Sequence, residues 1–144
     1  MKGNLKKKKR VLILCTGNSC RSQIAEGFFK KCRNDWTVES AGISPTKLNP
    51  LAVKVMAEKG IDISHQKTKS VKKFLNQSFD YIITVCDNAR ESCPLFPGEA
   101  QYIHWNIEDA ALAEGKTEDK LKKFREARDD IEKHILNFLK EVKD

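Results

Sequence analysis

Short apolar runs alternate with amphipathic segments along the 144 residues of this chain. Short segments rich in apolar and β-branched residues and bounded by polar or turn-forming residues predict strands, namely Val11–Leu14, Trp36–Ser40, Phe79–Val85 and the shorter, weaker Gln101–Trp105. Phe79–Val85 is a near-continuous apolar run, as expected of a buried parallel strand. Apolar residues at helical spacing predict helices, namely Gln23–Cys32, the segment from Asn49 to Gly60, Val71–Leu75 and Thr117–Lys143. This order predicts an α/β fold, in which a single domain holds a four-stranded, mostly parallel sheet flanked by helices.

The end of the first predicted strand carries a candidate anion-binding loop. Cys15 closes the apolar run, small or polar residues follow, and Arg21 precedes the first helical pattern. Successive backbone N–H groups in such a loop form a concave anion site, and the helix N-terminus behind it adds partial positive charge. The predicted oxyanion-binding residues are Thr16, Gly17, Asn18, Ser19, Cys20, Arg21 and Ser22.

Cys15 is the candidate nucleophile of this loop. Nearby positive charge lowers the pKa of a thiol, so we expect a Cys15 thiolate near neutral pH, with Ser22 as a hydrogen-bond donor to it. The alternative is a small buried hydrophobe at the end of a core strand. The spacing of Cys15, Gly17 and Arg21 before a helical pattern favours the nucleophile.

Positive charge is concentrated at the N-terminus. The formal net charge is +7, and six of the 27 basic residues lie within the first ten positions, which leaves the rest nearly balanced by 20 acidic residues. We expect residues 1–10 to be a basic, flexible lead-in with at most weak attraction for anions or nucleic acid. Residues 11–144 are expected to form one catalytic domain with no specific nucleic-acid partner.

Apolar length and cysteine usage point to the cytoplasm. No apolar run approaches the ~20 residues of a membrane span, and Val11–Leu14 is shorter than the ~7–15 residues of a signal-peptide core. The five cysteines are an odd number and too sparse for a disulfide scaffold. No metal site is expected, since there is no Cys-x2-Cys pair and the three histidines are scattered.

A second pair of cysteines lies beyond the third predicted strand. Cys86 follows the strand directly, and Cys93 comes seven positions later, behind a polar segment expected to be a loop. Because the carboxyl ends of parallel strands share one edge of a sheet, Cys15 and Cys86 are expected to open onto the same crevice. A disulfide needs Cα atoms within about 7 Å, so any helix between Cys86 and Cys93 would have to yield. Two unrelated buried cysteines are the alternative, and a nucleophilic Cys15 nearby favours a redox pair.

Acidic residues follow the fourth predicted strand. A carboxyl group from Glu108 or Asp109 placed over the anion loop is suited to act as a general acid. A solvated acidic loop that continues through Glu114 and Glu118 is the alternative.

Taken together, these residues resemble the thioredoxin-coupled arsenate reductases, a branch of the low-molecular-weight protein tyrosine phosphatase superfamily. The resemblance spans nearly the whole chain, and the discriminating element is the Cys86/Cys93 pair, which a simple phosphatase does not need. The matching stretches are Leu14–Gln23, Ala25–Gly27, Ser40–Gly42, Asn49–Pro50, Gly60–Ser64, Cys86 with Cys93–Pro94, and His104–Trp105.

This resemblance implies that the chain reduces arsenate to arsenite. Cys15 attacks arsenic while Arg21 holds the oxyanion, and Asp109, at the family's acid position, protonates the departing oxygen. Cys86 then attacks the sulfur of Cys15, and Cys93 attacks Cys86. Thioredoxin reduces the resulting disulfide, with glutaredoxin and glutathione as the alternative reductant. No bound cofactor is implied, and phosphate and sulfate are expected to compete with arsenate.

Two departures from the family pattern matter. The family has Asp-Pro at the acid position, whereas Ala110 follows Asp109 here, so the acid is either Asp109 or Glu108. Some members bind potassium near the anion loop, and Asn18, Glu26 and Ser40 match that site. Lys69 stands where those members carry Asp, so we expect weak or absent potassium dependence.

Two other functions compete with arsenate reduction. A low-molecular-weight protein tyrosine phosphatase hydrolysing phosphotyrosine or small phosphoesters would use Cys15, Arg21 and Asp109 alone, and weak phosphatase side activity is expected in either case. A redox-sensing or partner-binding module would retain the loop only as an anion site. Separately, the spacing of Cys15 and Cys20 permits a disulfide under oxidative stress, but a small residue that fits a tight loop is the favoured role of Cys20.

Overall fold

The computed structural model describes residues 8–142 and confirms the predicted alternation of strands and helices. The strands are β1 (Arg10–Cys15), β2 (Thr37–Gly42), β3 (Tyr81–Thr84) and β4 (Gln101–His104). The helices are α1 (Arg21–Cys32), α2 (Pro50–Ala57), α3 (Asp87–Glu91) and α4 (Thr117–Glu141), with short 3-10 turns at Val71–Phe74 and Ala110–Leu112.

The sheet has the order β2-β1-β3-β4, and every pairing is parallel. This arrangement confirms the predicted fold class. Leu14 of β1 pairs with Ala41 of β2 and Thr84 of β3, so the three strands end side by side. The N–H of Val85 donates to the carbonyl of Leu14 at 3.0 Å and carries this alignment one residue past β3. The residues after β1 and β3 therefore meet at one edge of the sheet.

The core lies on both faces of β1, whose residues from Val11 to Leu14 are fully buried. Helix α1 packs on one face through Phe29, which contacts the rings of Trp36, Trp105 and Phe138 at centroid distances of 6.0–6.4 Å. Burial on both faces explains why the strand reads as an uninterrupted apolar run rather than an alternating one. It also makes β1 a rigid support for the loop that follows it.

The sequence-based boundaries need two corrections. The predicted lead-in includes Arg10, but Arg10 is the first residue of β1, where it pairs with Thr37 of β2. Its N–H also donates to the Asp80 carboxylate at 2.8 Å, and its guanidinium lies 4.5 Å from the centre of the Phe79 ring. The segment after Cys86 is predicted to be a loop, but it contains α3. The predicted flexibility of the remaining lead-in falls largely on residues 1–7, outside the described residues.

Within residues 8–142 no helix has the length and apolarity to cross a membrane.

Candidate active site

Residues 43–49, here called the strap, hold the anion loop in place through its carbonyl groups. Four strap N–H groups donate to loop carbonyls over 2.8–3.1 Å, and the pairs are Ile43 to Cys15, Ser44 to Thr16, Thr46 to Gly17 and Asn49 to Ser19. In a trans peptide the N–H that follows a carbonyl points the opposite way, so the next N–H groups face away from the strap. Asn18 provides a check, because its N–H donates to Cys15 Sγ at 3.1 Å. At Asn18 the loop thus turns a backbone donor towards the sulfur.

The loop requires an unusual backbone conformation and a close approach. Asn18 has a φ of 52°, in the left-handed region that asparagine tolerates better than most residues. Gly42, the last residue of β2, lies against the loop so closely that a Cβ there would be 2.6 Å from the carbonyl oxygen of Thr16. A glycine at this position allows the strap to leave β2 directly beneath the loop.

A chain of buried side chains fixes the hydroxyl that contacts the sulfur. The Asn18 amide donates to Ser22 Oγ at 2.8 Å and to Ser40 Oγ at 2.9 Å. Ser40 in turn donates to the carboxylate of Glu26 at 2.5 Å. Because Ser22 Oγ already accepts from Asn18, its own hydroxyl hydrogen is free to donate to Cys15 Sγ, 2.9 Å away.

The amide of Asn18 is itself oriented by its neighbours. Its oxygen accepts from the backbone N–H of Lys69 at 2.8 Å and from the Gln23 amide at 3.2 Å. The amide nitrogen must therefore point towards the two serines. The direction of donation in these hydrogen bonds therefore follows from the donors that reach the Asn18 amide oxygen. It does not depend on an arbitrary choice of amide orientation.

The prediction of a lowered pKa for Cys15 is wrong for this arrangement. Burial raises the pKa of Cys15, and the hydrogen bonds from Ser22 and Asn18 oppose that rise only in part. The positive charge invoked from the sequence is directed elsewhere, because Arg21 donates to the carbonyl of Ile107 at 3.0 Å and lies 3.4 Å from Asp109. Those partners come from a distant part of the chain.

A cavity of about 190 Å³ opens in front of Cys15 and is large enough for a tetrahedral oxyanion. Its lining residues are Cys15, Thr16, Gly17, Ser19, Cys20, Arg21, Asp109 and Ala111. Asn18 and Ser22, predicted to bind the oxyanion, do not line this cavity, because both side chains are buried behind the loop. They hold the loop and the sulfur, whereas the other predicted residues form the wall.

Asp109 lies at this cavity and Glu108 does not. The Asp109 carboxylate faces Arg21 and accepts from the N–H of Ala111 at 3.0 Å, which caps the following 3-10 turn. This cap restrains the acidic loop although Ala110 replaces the family's proline. Glu108 is 78% exposed and turns towards Lys123 at 3.9 Å. The geometry favours Asp109 as the acid.

Cys86 is held beside the anion loop by Thr16. Thr16 Oγ1 lies 3.3 Å from Cys86 Sγ and accepts from the Asn88 amide at 3.0 Å, so its hydroxyl hydrogen is free to donate to the sulfur. The N–H of Ala89 also approaches Cys86 Sγ at 3.4 Å. These contacts bring a second buried thiol to the nucleophile's side of the sheet. The sequence pattern predicts only an oxyanion-binding role for Thr16, since no sequence signal reports a contact across 70 positions.

Cys93 lies apart from Cys86. The five residues of α3, Asp87–Glu91, lie between them, and their helical rise alone is roughly 7.5 Å, slightly above the ~7 Å that a disulfide allows. Cys93 is half-buried two residues beyond the end of α3, and burial raises the pKa of its thiol. Direct bonding between the two sulfurs therefore requires α3 to unwind.

Lys69 occupies the position at which potassium would be expected. Its side chain is 14% exposed, and its ammonium lies 3.6 Å from the buried Glu26 carboxylate, which Lys30 also contacts. Two ammonium groups already compensate this carboxylate, so the residues present do not fit a bound cation. Across residues 8–142 no cluster of His, Cys, Asp and Glu side chains suits another metal.

The two remaining cysteines have no evident chemical role. Cys20 is buried in the loop wall, and burial, followed by the nearby Asp109 charge, raises its pKa to about 12. Cys20 is therefore protonated at neutral pH and fits its alternative assignment as a small loop residue. Cys32 is exposed at the last residue of α1, where the neighbouring charges are those of Glu132 and Lys31.

Comparison with known proteins agrees with this site. The sequence profile described as low molecular weight phosphotyrosine protein phosphatase matches residues 10–144. An arsenate reductase of Halalkalibacterium halodurans is 48% identical over 91% of this chain and 95% of its own length, and one of Bacillus subtilis is 43% identical over 90% and 94%. The solved structure of an arsenate reductase in the phosphate binding state matches with a TM-score of 0.76 and 29% identity over 94% of this chain and 99% of that one.

Proposed function

Because the chain belongs to the low molecular weight phosphotyrosine protein phosphatase family, we propose that it reduces arsenate to arsenite through Cys15 and a relay of three cysteines. The observation that carries this proposal is the buried Cys86 thiol, held 3.3 Å from Thr16 beside the anion loop. Hydrolysis of a phosphoester needs no second thiol there. The arsenate reductases similar to this chain support the same choice of substrate.

Arsenate binds in the cavity before Cys15. The inward N–H groups of the loop and the N-terminus of α1 attract a tetrahedral dianion. Arg21 must then leave the Ile107 carbonyl and grip two of the anion's oxygens. Phosphate and sulfate have the same shape and charge and compete for this cavity.

The first chemical step forms a bond between Cys15 Sγ and arsenic. The thiolate attacks, an As–O bond breaks, and Asp109 supplies the proton with which that oxygen departs as water. Ser22 and Asn18 stabilise the thiolate against the cost of its burial. Arsenic is still pentavalent after this step.

The second and third steps carry the electrons. The Cys86 thiolate attacks Cys15 Sγ, the S–As bond breaks, and its electron pair leaves with arsenic, which departs as trivalent arsenite. A Cys15–Cys86 disulfide remains. The Cys93 thiolate then attacks Cys86 Sγ, which releases the Cys15 thiolate and leaves a Cys86–Cys93 disulfide. Unwinding of α3 brings Cys93 into reach.

The electron balance of these steps determines which reductant the protein needs. Two thiols are oxidised for each arsenate reduced, so no bound cofactor is needed and an external dithiol must restore them. Thioredoxin is the reductant we propose, by exchange with the Cys86–Cys93 disulfide. Such a cycle needs a reducing compartment, and we propose that the protein acts in the cytoplasm.

Coupled turnover tests the proposal. Arsenate should drive NADPH oxidation in the presence of thioredoxin and thioredoxin reductase, and p-nitrophenyl phosphate should be hydrolysed only weakly. Cys86→Ser should stop arsenate turnover yet leave phosphatase activity largely intact, whereas the exposed Cys32→Ser should change neither. Brisk hydrolysis with no arsenate-dependent oxidation would establish the phosphatase instead.

A further inference from the structure

His104, the last residue of β4, connects the edge of the sheet to the helix that separates Cys86 from Cys93. Its Nδ1 lies 2.7 Å from Thr84 Oγ1, and its Nε2 lies 3.3 Å from the carboxylate of Asp87, the first residue of α3. His104 Nε2 is buried and makes no aligned hydrogen bond within residues 8–142. The mechanism proposed above uses neither His104 nor Asp87.

The surroundings fix how the ring carries its protons. A carboxylate beside Nε2 favours a proton on that nitrogen, so in the neutral ring Nδ1 accepts from the Thr84 hydroxyl. When the ring takes up a second proton, Thr84 can accept from Nδ1 and turn its own hydrogen to the Ile103 carbonyl, 3.5 Å away. Both states are accommodated, and only the protonated one carries a charge opposite to that of Asp87.

Few other groups compete for this contact. The cavity of about 160 Å³ beside the ring is lined by Ile82, Thr84, Arg90, Cys93, Tyr102, Ile103 and His104. Its ionisable members are Arg90 and Cys93, which flank the C-terminal end of α3, and Tyr102 on β4. Arg90 lies 3.4 Å from Asp87 and keeps its charge at all relevant pH values, so its contribution is constant. Among side chains in general, imidazole is the one whose ordinary change of charge falls between about pH 5 and 8.

We propose that His104 is a positioning residue that holds the first turn of α3 wound through Asp87, and so controls how readily Cys93 reaches Cys86. The consequence for turnover rests on the proposed function, whereas the effect on α3 does not. Protonation of the ring strengthens the pair, so acid should keep α3 wound and slow the third step. Asp87 is exposed, so solvent screens the pair and an effect of about threefold is expected.

Amide hydrogen exchange across residues 87–93 of the reduced protein tests the effect on α3. His104→Gln keeps a neutral donor of similar reach, and Asp87→Asn removes the charge it meets. The ratio of variant to wild-type exchange at each pH cancels the intrinsic pH dependence of exchange. We expect this ratio to rise about threefold from about pH 8 to about pH 5.5 in both variants.

His134→Gln is the matched control, because His134 also lies 3.6 Å from an aspartate, Asp130, but within α4. Its ratio should not change with pH. A ratio independent of pH in His104→Gln, or an equal rise in His134→Gln, would overturn the inference.

Single-turnover disulfide mapping tests the consequence. Conversion of the Cys15–Cys86 disulfide into Cys86–Cys93 should be faster in His104→Gln than in wild type at about pH 5.5 and equal at about pH 8. A positive charge on His104 favours the thiolate of Cys93, which lines the same cavity, and would speed this step in wild type. Thiol ionisation therefore acts against the expected difference and cannot mimic it. If arsenate yields no disulfide at all, the proposed function fails, while the exchange experiment still decides the role of His104.

Discussion

Replacement of Ser22 by alanine isolates the hydroxyl that contacts the nucleophile. Ser22 Oγ lies 2.9 Å from Cys15 Sγ, and its hydrogen bond lowers the pKa of a thiol that burial raises. Ser22→Ala should therefore raise the pKa of Cys15 further. Asn18 keeps its second acceptor, Ser40, so the loop itself should persist.

The size of the effect follows from the bond that is lost. A hydrogen bond to a charged group contributes about 1.5–3 kcal/mol, which corresponds to a 10- to 150-fold change in the thiolate fraction. The Asn18 N–H still donates to the sulfur at 3.1 Å, so we expect the lower end, about tenfold.

Alkylation of Cys15 by iodoacetamide, followed by peptide mass spectrometry as a function of pH, measures this directly. The profile of Ser22→Ala should shift to higher pH and its rate at neutral pH should fall about tenfold. Ser44→Ala, which removes an exposed hydroxyl from the strap, is the matched control and should behave as wild type. An unshifted profile in Ser22→Ala would refute the role of the Ser22 hydroxyl as a donor to the thiolate.

Three further predictions concern the loop, the potassium position and acid stability. Gly42→Ala should abolish phosphate binding in calorimetry and cost about 1–3 kcal/mol in denaturant unfolding, because the new Cβ would meet the Thr16 carbonyl 2.6 Å away; unchanged binding would contradict the close approach. Replacing sodium by potassium chloride should leave the Tm unchanged, because Lys69 lies 3.6 Å from Glu26; a potassium-specific rise would show a cation site. The hydrogen bond to Arg125, followed by that to Arg128, lowers the pKa of Glu58 to about 2. The Glu58 carboxylate therefore stabilises the fold at pH values above its ordinary pKa of 4.5, and this stabilisation is lost as the pH falls through about 2. The stability difference between wild type and Glu58→Gln should shrink over that range and weaken in salt; a constant difference would contradict the ion pair.

Much of the fold could be predicted because its signals are local. Apolar runs mark the buried strands, and the Asn49–Pro50 pair marks the start of α2, where Asn49 caps the helix by accepting from Leu51 at 2.8 Å. Helix α3 escapes prediction because Asp87–Glu91 is too short to show a helical period. The cysteines that flank it give no indication of helix either.

The site is harder to predict where it depends on contacts distant in sequence. The loop is recognisable from Cys15 to Ser22, but its shape depends on strap N–H groups, which every residue type except proline provides and no motif reports. The expected lowering of the Cys15 pKa fails because burial raises it, while Arg21 meets the carbonyl of Ile107, 86 positions away. Side-chain identity predicts which groups are present, and tertiary contacts decide where each one points.

A disulfide map after a single arsenate turnover is the most direct test of the three-cysteine relay. Wild-type protein mixed with one equivalent of arsenate and quenched with acid should contain the Cys86–Cys93 disulfide, and Cys93→Ser should accumulate Cys15–Cys86. Arsenite formed with all three thiols still reduced, or a disulfide confined to Cys15 and Cys20, would contradict it.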